Sequence, residues 1–394
     1  MAVTVAALES LTVLSVMPLV AADLDGLSLY GWVFAGFFVT SALAIPVAAQ
    51  VIDRSGLRLP FAAGLTLFGA GLLVAGFAPS MAVLVGGRVL QGVGAGTLNA
   101  ATYAAIAIAY SPRERARMLA LLSTAWLVPA FVGPLLGSGI AQIAGWRWTF
   151  LGLAGFVPLA GLLVLPAVAQ HDRRRVRVSR AGGPWLRSLV PPREIGRAAV
   201  ISMLAGSAIY GAITFAPLGM TGVRGQTTIE AGIAIACCSV AWISASWLHQ
   251  RVAHRVADRD AIRFGMAFTA IVSPALIAVV VPSAPYAAIL AGWALLGLGA
   301  GVAFQAINLF VMGRAVRGTE GRATSSVQLA NTIGAAVGTF ALGGLFNAGR
   351  DAGLAMATSL LLVFGACWAV LLVATLLAWG TPRTRDSQAG TGAA

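Results

Sequence analysis

The feature that most constrains this chain is a succession of apolar runs, each about as long as a bilayer's hydrocarbon core is thick. A helix needs roughly 20 apolar residues to cross that core. Runs of this kind occupy residues 4–22, 29–51, 59–78, 81–110, 118–141, 147–170, 196–219, 229–250, 264–282, 285–312, 324–347 and 353–380. Lipid offers the backbone no hydrogen-bond partners, so runs that cross it must be helical. The expectation is an all-α integral membrane protein with twelve spanning helices. With 59% hydrophobic and 10% charged residues, the chain has too little charge to cover a soluble protein of 394 residues. Gly, Ala and Ser recur inside the runs and let helices approach closely, which predicts a bundle.

A net charge of +13 invites a nucleic-acid reading. The placement of the charges refuses it, because the Arg residues sit in short loops between spans. Arg54, Arg58, Arg113, Arg115, Arg117, the Arg-rich stretch 173–197, and then Arg251, Arg255, Arg259, Arg263, Arg314, Arg317 and Arg322 all fall on one side. The other side carries Asp23, Asp25, Arg147 and the balanced pairs Arg224/Glu230 and Arg350/Asp351. That bias predicts both termini in the cytoplasm of a bacterial plasma (inner) membrane, with the lipid bilayer as surroundings and no nucleic acid as partner. The first run lacks a basic leader and a small-residue cleavage site, so no cleavable signal peptide is expected. Cys237, Cys238 and Cys367 lie inside apolar runs, where they read as packing residues rather than a four-ligand zinc site. No metal or cofactor is expected.

The chain repeats itself. Gly92-Val93-Gly94-Ala95-Gly96 returns as Gly297-Leu298-Gly299-Ala300-Gly301, an offset of 205 that also carries Val132-Gly133 to Val337-Gly338 and Arg117 to Arg322. Internal repetition of a six-helix unit marks many secondary transporters. It predicts an N-terminal bundle over 1–170, a cytoplasmic linker over 171–195, a C-terminal bundle over 196–380 and a short tail over 381–394.

Several local patterns together resemble the major facilitator superfamily, from about Leu8 to the last span. Ala49-x-x-x-Asp53-Arg54-x-Gly56-x-Arg58 resembles that superfamily's loop between helices 2 and 3, with Ala49 in place of its first Gly and Leu57 in place of a basic residue. Arg88-x-x-Gln91-Gly92-x-Gly94 resembles its helix 4 motif, and Gly133-Pro134-x-x-Gly137 the helix 5 motif of its antiporter branches. Leu8-Glu9 with Ser15-Val16-Met17-Pro18, Tyr30-Gly31-Trp32 and Trp146-Arg147-Trp148-x-Phe150 are similar to the fourteen-helix drug:proton antiporters, which usually carry Asp at the Glu9 position. The resemblance implies two pseudo-symmetric six-helix bundles working by alternating access. It also implies gating roles for Asp53, Arg54, Gly56, Arg58, Gly133, Pro134 and Gly137.

Glu9 and Arg88 are the two ionisable residues well inside apolar runs. A carboxylate at membrane depth must face a partner or a wet cavity, and its protonation then responds to access and to neighbouring charge. Glu9 is therefore the candidate proton carrier, with Arg88 as its partner or held by backbone carbonyls; the plainer reading lets Glu9 snorkel to the nearby interface. Arg88, Gly92, Gly96, Asn99 and Tyr103 share one helix face. Gly297, Gly301, Gln305 and Asn308 make the equivalent stripe, and Ser325, Gln328, Asn331 and Thr332 another. With Ser15 and Gln91, these polar residues either line a central cavity or lock the bundle by interhelical hydrogen bonds. Trp126, Tyr210 and Phe215 can offer aromatic faces to an organic cation, or simply pack.

The expected function is a secondary transporter that exports small hydrophobic compounds, cationic or neutral, in exchange for protons, acting as a monomer. Proton-coupled import of a nutrient is the nearest rival. A non-transporting sensor predicts an added soluble domain, for which residues 381–394 are too short. No acid, base and nucleophile converge on one site, so an enzyme is not expected.

Overall fold

In a computed structural model, the described residues are 2–110, 114, 118, 127–173, 195–252, 255–314 and 320–381. They form twelve helices: α1 (Ala2–Asp23), α2 (Tyr30–Ser55), α3 (Arg58–Gly76), α4 (Met81–Ala109), α5 (Leu127–Ala144), α6 (Trp146–Arg173), α7 (Gly196–Gly222), α8 (Thr228–Val252), α9 (Asp258–Val272), α10 (Tyr286–Arg314), α11 (Glu320–Asp351) and α12 (Met356–Trp379). Eleven, with α9 counted together with its 3₁₀ continuation to Val280, are long and apolar enough to cross a membrane on their described residues. The remaining one, α5, falls short of a full span because the predicted span 118–141 begins outside the described set, apart from Met118. Most of the Arg-rich linker and residues 382–394 also lie outside it.

Helices α1–α6 and α7–α12 form two bundles with matching internal contacts. In the first, α4 is wedged between α2 and α3. Gly92 and Gly96 face the backbone of α2 at Phe37 and Ser41, and Gly94 faces α3 at Gly64 and Phe68. In the second, α10 is wedged between α8 and α9. Gly297 and Gly301 face Cys238 and Trp242, and Gly299 faces Phe268 and Thr269. The repeated glycine motif is thus the seam where three helices touch backbone to backbone. Gly92, Gly96, Gly297 and Gly301 are closed by packing, so these positions do not line an open cavity.

Helix ends follow local chemistry. Gly56, at φ 84°, ends α2 in a backbone region that suits glycine, and its N–H donates to the Ile52 carbonyl at 3.0 Å. Thr227 and Glu230 form a reciprocal cap on α8: the Thr227 N–H donates to Glu230 Oε2 at 2.7 Å, and the Glu230 N–H to Thr227 Oγ1 at 3.2 Å. Helix α9 starts at Asp258, six residues before the apolar run at 264, because Asp258 and Asp260 suit the positive end of the helix dipole. It tightens into a 3₁₀ stretch over Ser273–Val280, beginning beside Pro274.

The halves meet at the end of the bundle opposite the chain termini, called here the distal end. Tyr30 on α2 donates from its hydroxyl to the Thr214 carbonyl on α7 at 3.0 Å. Asn347 on α11 donates to the Ser28 carbonyl at 2.7 Å, and Ser138 on α5 to the Thr228 carbonyl on α8 at 2.9 Å. Tyr30, Phe215 and Phe346 pack in sequence as tilted rings behind these bonds, with ring centroids 5.5 and 5.6 Å apart. Gly31 and Gly343 let α2 and α11 cross in backbone contact; a methyl group on Gly31 would stand 2.8 Å from the Gly343 Cα. These contacts seal the distal end.

Candidate functional site

Glu9 and Arg88 form a buried ion pair between α1 and α4, with side chains 0% and 2% exposed. Arg88 Nη1 donates to Glu9 Oε1 and also to Gln91 Oε1, one turn along α4. Arg88 Nε donates to the Val33 carbonyl of α2 at 3.3 Å, and the guanidinium lies 4.5 Å from the centre of the Phe37 ring. Ser10 Oγ lies 3.4 Å from Glu9 Oε2. Both partners proposed for Arg88, the carboxylate and a backbone carbonyl, are engaged at once. Two charges leave water here, and their attraction offsets that cost only while both are present. Removing one partner of such a pair typically costs about 3–5 kcal/mol. Gln91 Nε2 is buried with no hydrogen-bond partner among the described residues.

The α1–α5 seam sets the position of Glu9. Thr12 Oγ1 donates to the Gly133 carbonyl at 3.0 Å, and Ser15 Oγ to its own helix at the Thr12 carbonyl at 2.8 Å. Gly133 faces Leu8 and Leu11, and Gly137 faces Thr12 and Ser15. Pro134 has no N–H, which loosens the ladder of α5 at this level. Its carbonyl accepts from Ser138 Oγ at 2.8 Å and faces Gly232 of α8 across the halves. The Gly133-Pro134-x-x-Gly137 segment therefore touches α1 on one side and the distal seal on the other.

The polar residues of the C-terminal half lie apart from the pair. Tyr210 and Asn331 border a small cavity together with Trp242, Met266, Phe304 and Ile307, with room for one water at most. Asn331 Nδ2 donates to the Ser202 carbonyl at 3.2 Å. Tyr210 meets Phe38 of the first half edge-on at 5.3 Å. Asn99, Tyr103, Gln305, Asn308 and Gln328 are neither buried nor fully exposed, and stand on the halves of α4, α10 and α11 nearer the termini. Asn308 donates to its own helix at Phe304. Ser15 and Gln91 are placed with the ion pair and the α1–α5 seam. Trp126, the predicted aromatic contact, lies outside the described residues, as does the side chain of Ser325. Trp242 and Phe304 were missed, since nothing in sequence separates them from the many packing aromatics.

Asp53, Arg54 and Arg58 sit exposed around the buried turn at Gly56 and Leu57. At the distal end Asp23 accepts from Trp146 Nε1 at 2.9 Å and from Arg147 Nη1 at 3.1 Å, tying α1 to α6. The guanidinium of Arg147 lies 4.3 Å from the centre of the Trp146 ring. This cluster gives the Trp146-Arg147 motif a structural role that the sequence left unassigned. Among the described residues no His, Cys, Asp or Glu cluster has the grouping of a metal site.

The profile described as Major Facilitator Superfamily matches residues 1–339. A probable multidrug-efflux transporter of Mycobacterium tuberculosis is 37% identical over 156 residues, which cover 40% of this chain and 33% of that protein. The multidrug transporter protein MdtP of Bacillus subtilis is 23% identical over 395 residues, covering 87% of this chain and 73% of its own. A bacterial homologue of the human lysosomal transporter Spinster, solved in an inward-facing and occupied conformation, superposes with a TM-score of 0.76 at 16% identity, over 96% of this chain and 94% of that one. That likeness concerns the fold.

Proposed function

The chain belongs to the major facilitator superfamily, and we propose that within it the protein is a secondary transporter that exports small hydrophobic organic compounds in exchange for protons. The observation that carries this reading is the Glu9–Arg88 pair, an ionisable carboxylate held at membrane depth by one guanidinium. Protonating Glu9 removes one side of that pair and leaves Arg88 to Gln91, the Val33 carbonyl and the Phe37 ring. The carboxylate neighbours the α1–α5 seam, and that seam abuts the distal seal. Proton occupancy thus has a physical route to the contacts that must break when the access side changes. Multidrug efflux among relatives supports export over import.

In this reading residues 1–170 and 196–380 move as two bodies, joined by the linker over 171–195. The sealed distal end belongs to the state open toward the termini, and the Arg bias of the loops places that side in the cytoplasm. Asp53, Arg54 and Arg58 are then gate residues of the terminal end. Glu9 accounts for one exchangeable proton per cycle. The protein works as a monomer in the bacterial plasma membrane, since each chain supplies both halves of the pathway.

Expression in an efflux-deficient bacterial host tests the reading. Energy-dependent lowering of hydrophobic compounds inside the cell, reversed by collapsing the proton gradient, is the expected result. Accumulation of a sugar or an amino acid in its place would establish the import rival.

A further inference from the structure

We infer that the exported substrates are uncharged, so that each exchange carries one net charge across the membrane; this rests on the proton-exchange reading above. The argument is an inventory of charge. Among the described residues, Arg147, Arg197, Glu230 and His249 stand within about a turn of the ends of their helices and Arg263 is held by the carbonyls of Trp379 and Thr381 at the terminal end of α12, which leaves Glu9 and Arg88 as the charged side chains of the interior. Their charges cancel. Glu9 is already committed to Arg88 through Nη1, and Arg88 also contacts Gln91, the Val33 carbonyl and the Phe37 ring. A guanidinium does not deprotonate in proteins. The interior therefore carries zero net charge with Glu9 ionised and one positive charge with Glu9 protonated, and is negative in neither state.

In an exchanger the substrate binds in the state that has given up its proton. Here that state is neutral, and among the described residues no interior carboxylate is left over to meet a cation. The C-terminal half does not change this balance. The cavity beside Tyr210 and Asn331 is bounded by the rings of Trp242 and Phe304, by aliphatic side chains and by a single amide. Aromatic faces attract a cation weakly, and an unneutralised charge at this depth is strongly disfavoured. An uncharged organic compound avoids that cost at this depth. Exchanging it for one proton moves one charge per turnover, whereas exchanging a monovalent cation for one proton moves none.

Purified protein in liposomes separates the two. Uptake of uncharged aromatic probes, chloramphenicol first among them, is compared with that of tetraphenylphosphonium and ethidium. One set of vesicles carries a lumen-positive potassium diffusion potential at equal pH, and another an acid lumen at zero potential. The expected result is uptake of uncharged probes several-fold above protein-free liposomes under either gradient, with no protein-dependent uptake of the cations. Protein-dependent accumulation of the cations in acid-lumen vesicles, or uncharged uptake that ignores the potential, would overturn this inference while leaving proton exchange in place. No protein-dependent uptake of any probe under either gradient would overturn proton exchange and the inference together.

Discussion

Arg88 on α4 holds Glu9 on α1 across 79 residues of chain, and both side chains are removed from solvent. The pair also joins α2, through the Val33 carbonyl and the Phe37 ring. Three helices of the N-terminal half thus converge on one guanidinium.

Stability should depend on the pair as a unit. Arg88→Ala leaves an unpaired buried carboxylate and should cost about 3–5 kcal/mol. Glu9→Gln/Arg88→Gln removes both charges and should recover most of that loss. Thermal unfolding of the purified single and double variants in detergent measures the difference; equal losses for both would show that the unpaired Glu9 carboxylate is not what costs stability.

The distal seal depends on the absence of side chains at the α2–α11 crossing. Gly343→Leu should force α2 and α11 apart, since overpacking of this kind costs about 1–3 kcal/mol, a roughly 5- to 150-fold shift against the sealed state. Labelling of a cysteine placed at Asn347 by a membrane-impermeant maleimide should speed up accordingly, and transport should fall. An unchanged labelling rate would mean that the crossing is not what closes this end.

Glycines of one helix should differ sharply in tolerance. A methyl group on Gly96 would meet the Ser41 backbone, with its Cα and carbonyl carbon 2.9 Å away, whereas one on Gly86 would meet nothing within 4 Å. Gly96→Ala should therefore destabilise by about 1–3 kcal/mol, while Gly86→Ala should be neutral or slightly stabilising through helix propensity. Unfolding temperatures of the two variants provide the comparison.

Asp23 is the obvious alternative carboxylate near the distal end, but its bonds to Trp146 and Arg147 fix α1 to α6 at a half-exposed site. Asp23→Asn should keep an acceptor for Trp146, change stability by no more than about 1 kcal/mol and leave proton exchange intact. Loss of exchange in a folded Asp23→Asn protein would move the carrier there.

Much of this was legible in sequence because membrane physics is strict. Apolar length predicted the helices, and the shared offset predicted which glycines would be equivalent. The isolation of Glu9 and Arg88 within apolar runs pointed to their meeting. The start of α9 at Asp258 was missed because its charged first turn interrupts the apolar pattern. The stripe through Gly92 and Gly96 was harder to read. On a helical wheel a face of small residues fits a cavity and a close contact equally well, and only the approach of the α2 backbone decides for contact. Trp242 and Phe304 were hidden for the same reason, since the partner a ring meets is set by tertiary packing. The Val33 carbonyl carries no side-chain signal at all.

The account rests on Glu9 as the proton carrier, and proton release on substrate addition tests that most directly. Energised inverted vesicles holding wild type or Glu9→Gln would be given a panel of uncharged and cationic hydrophobic compounds, with lumenal pH followed by a fluorescent dye. The account predicts substrate-triggered proton release in wild type and none in Glu9→Gln at equal amounts of folded protein, because glutamine keeps an oxygen for Arg88 and cannot carry the proton. Release of equal size in the variant would contradict it.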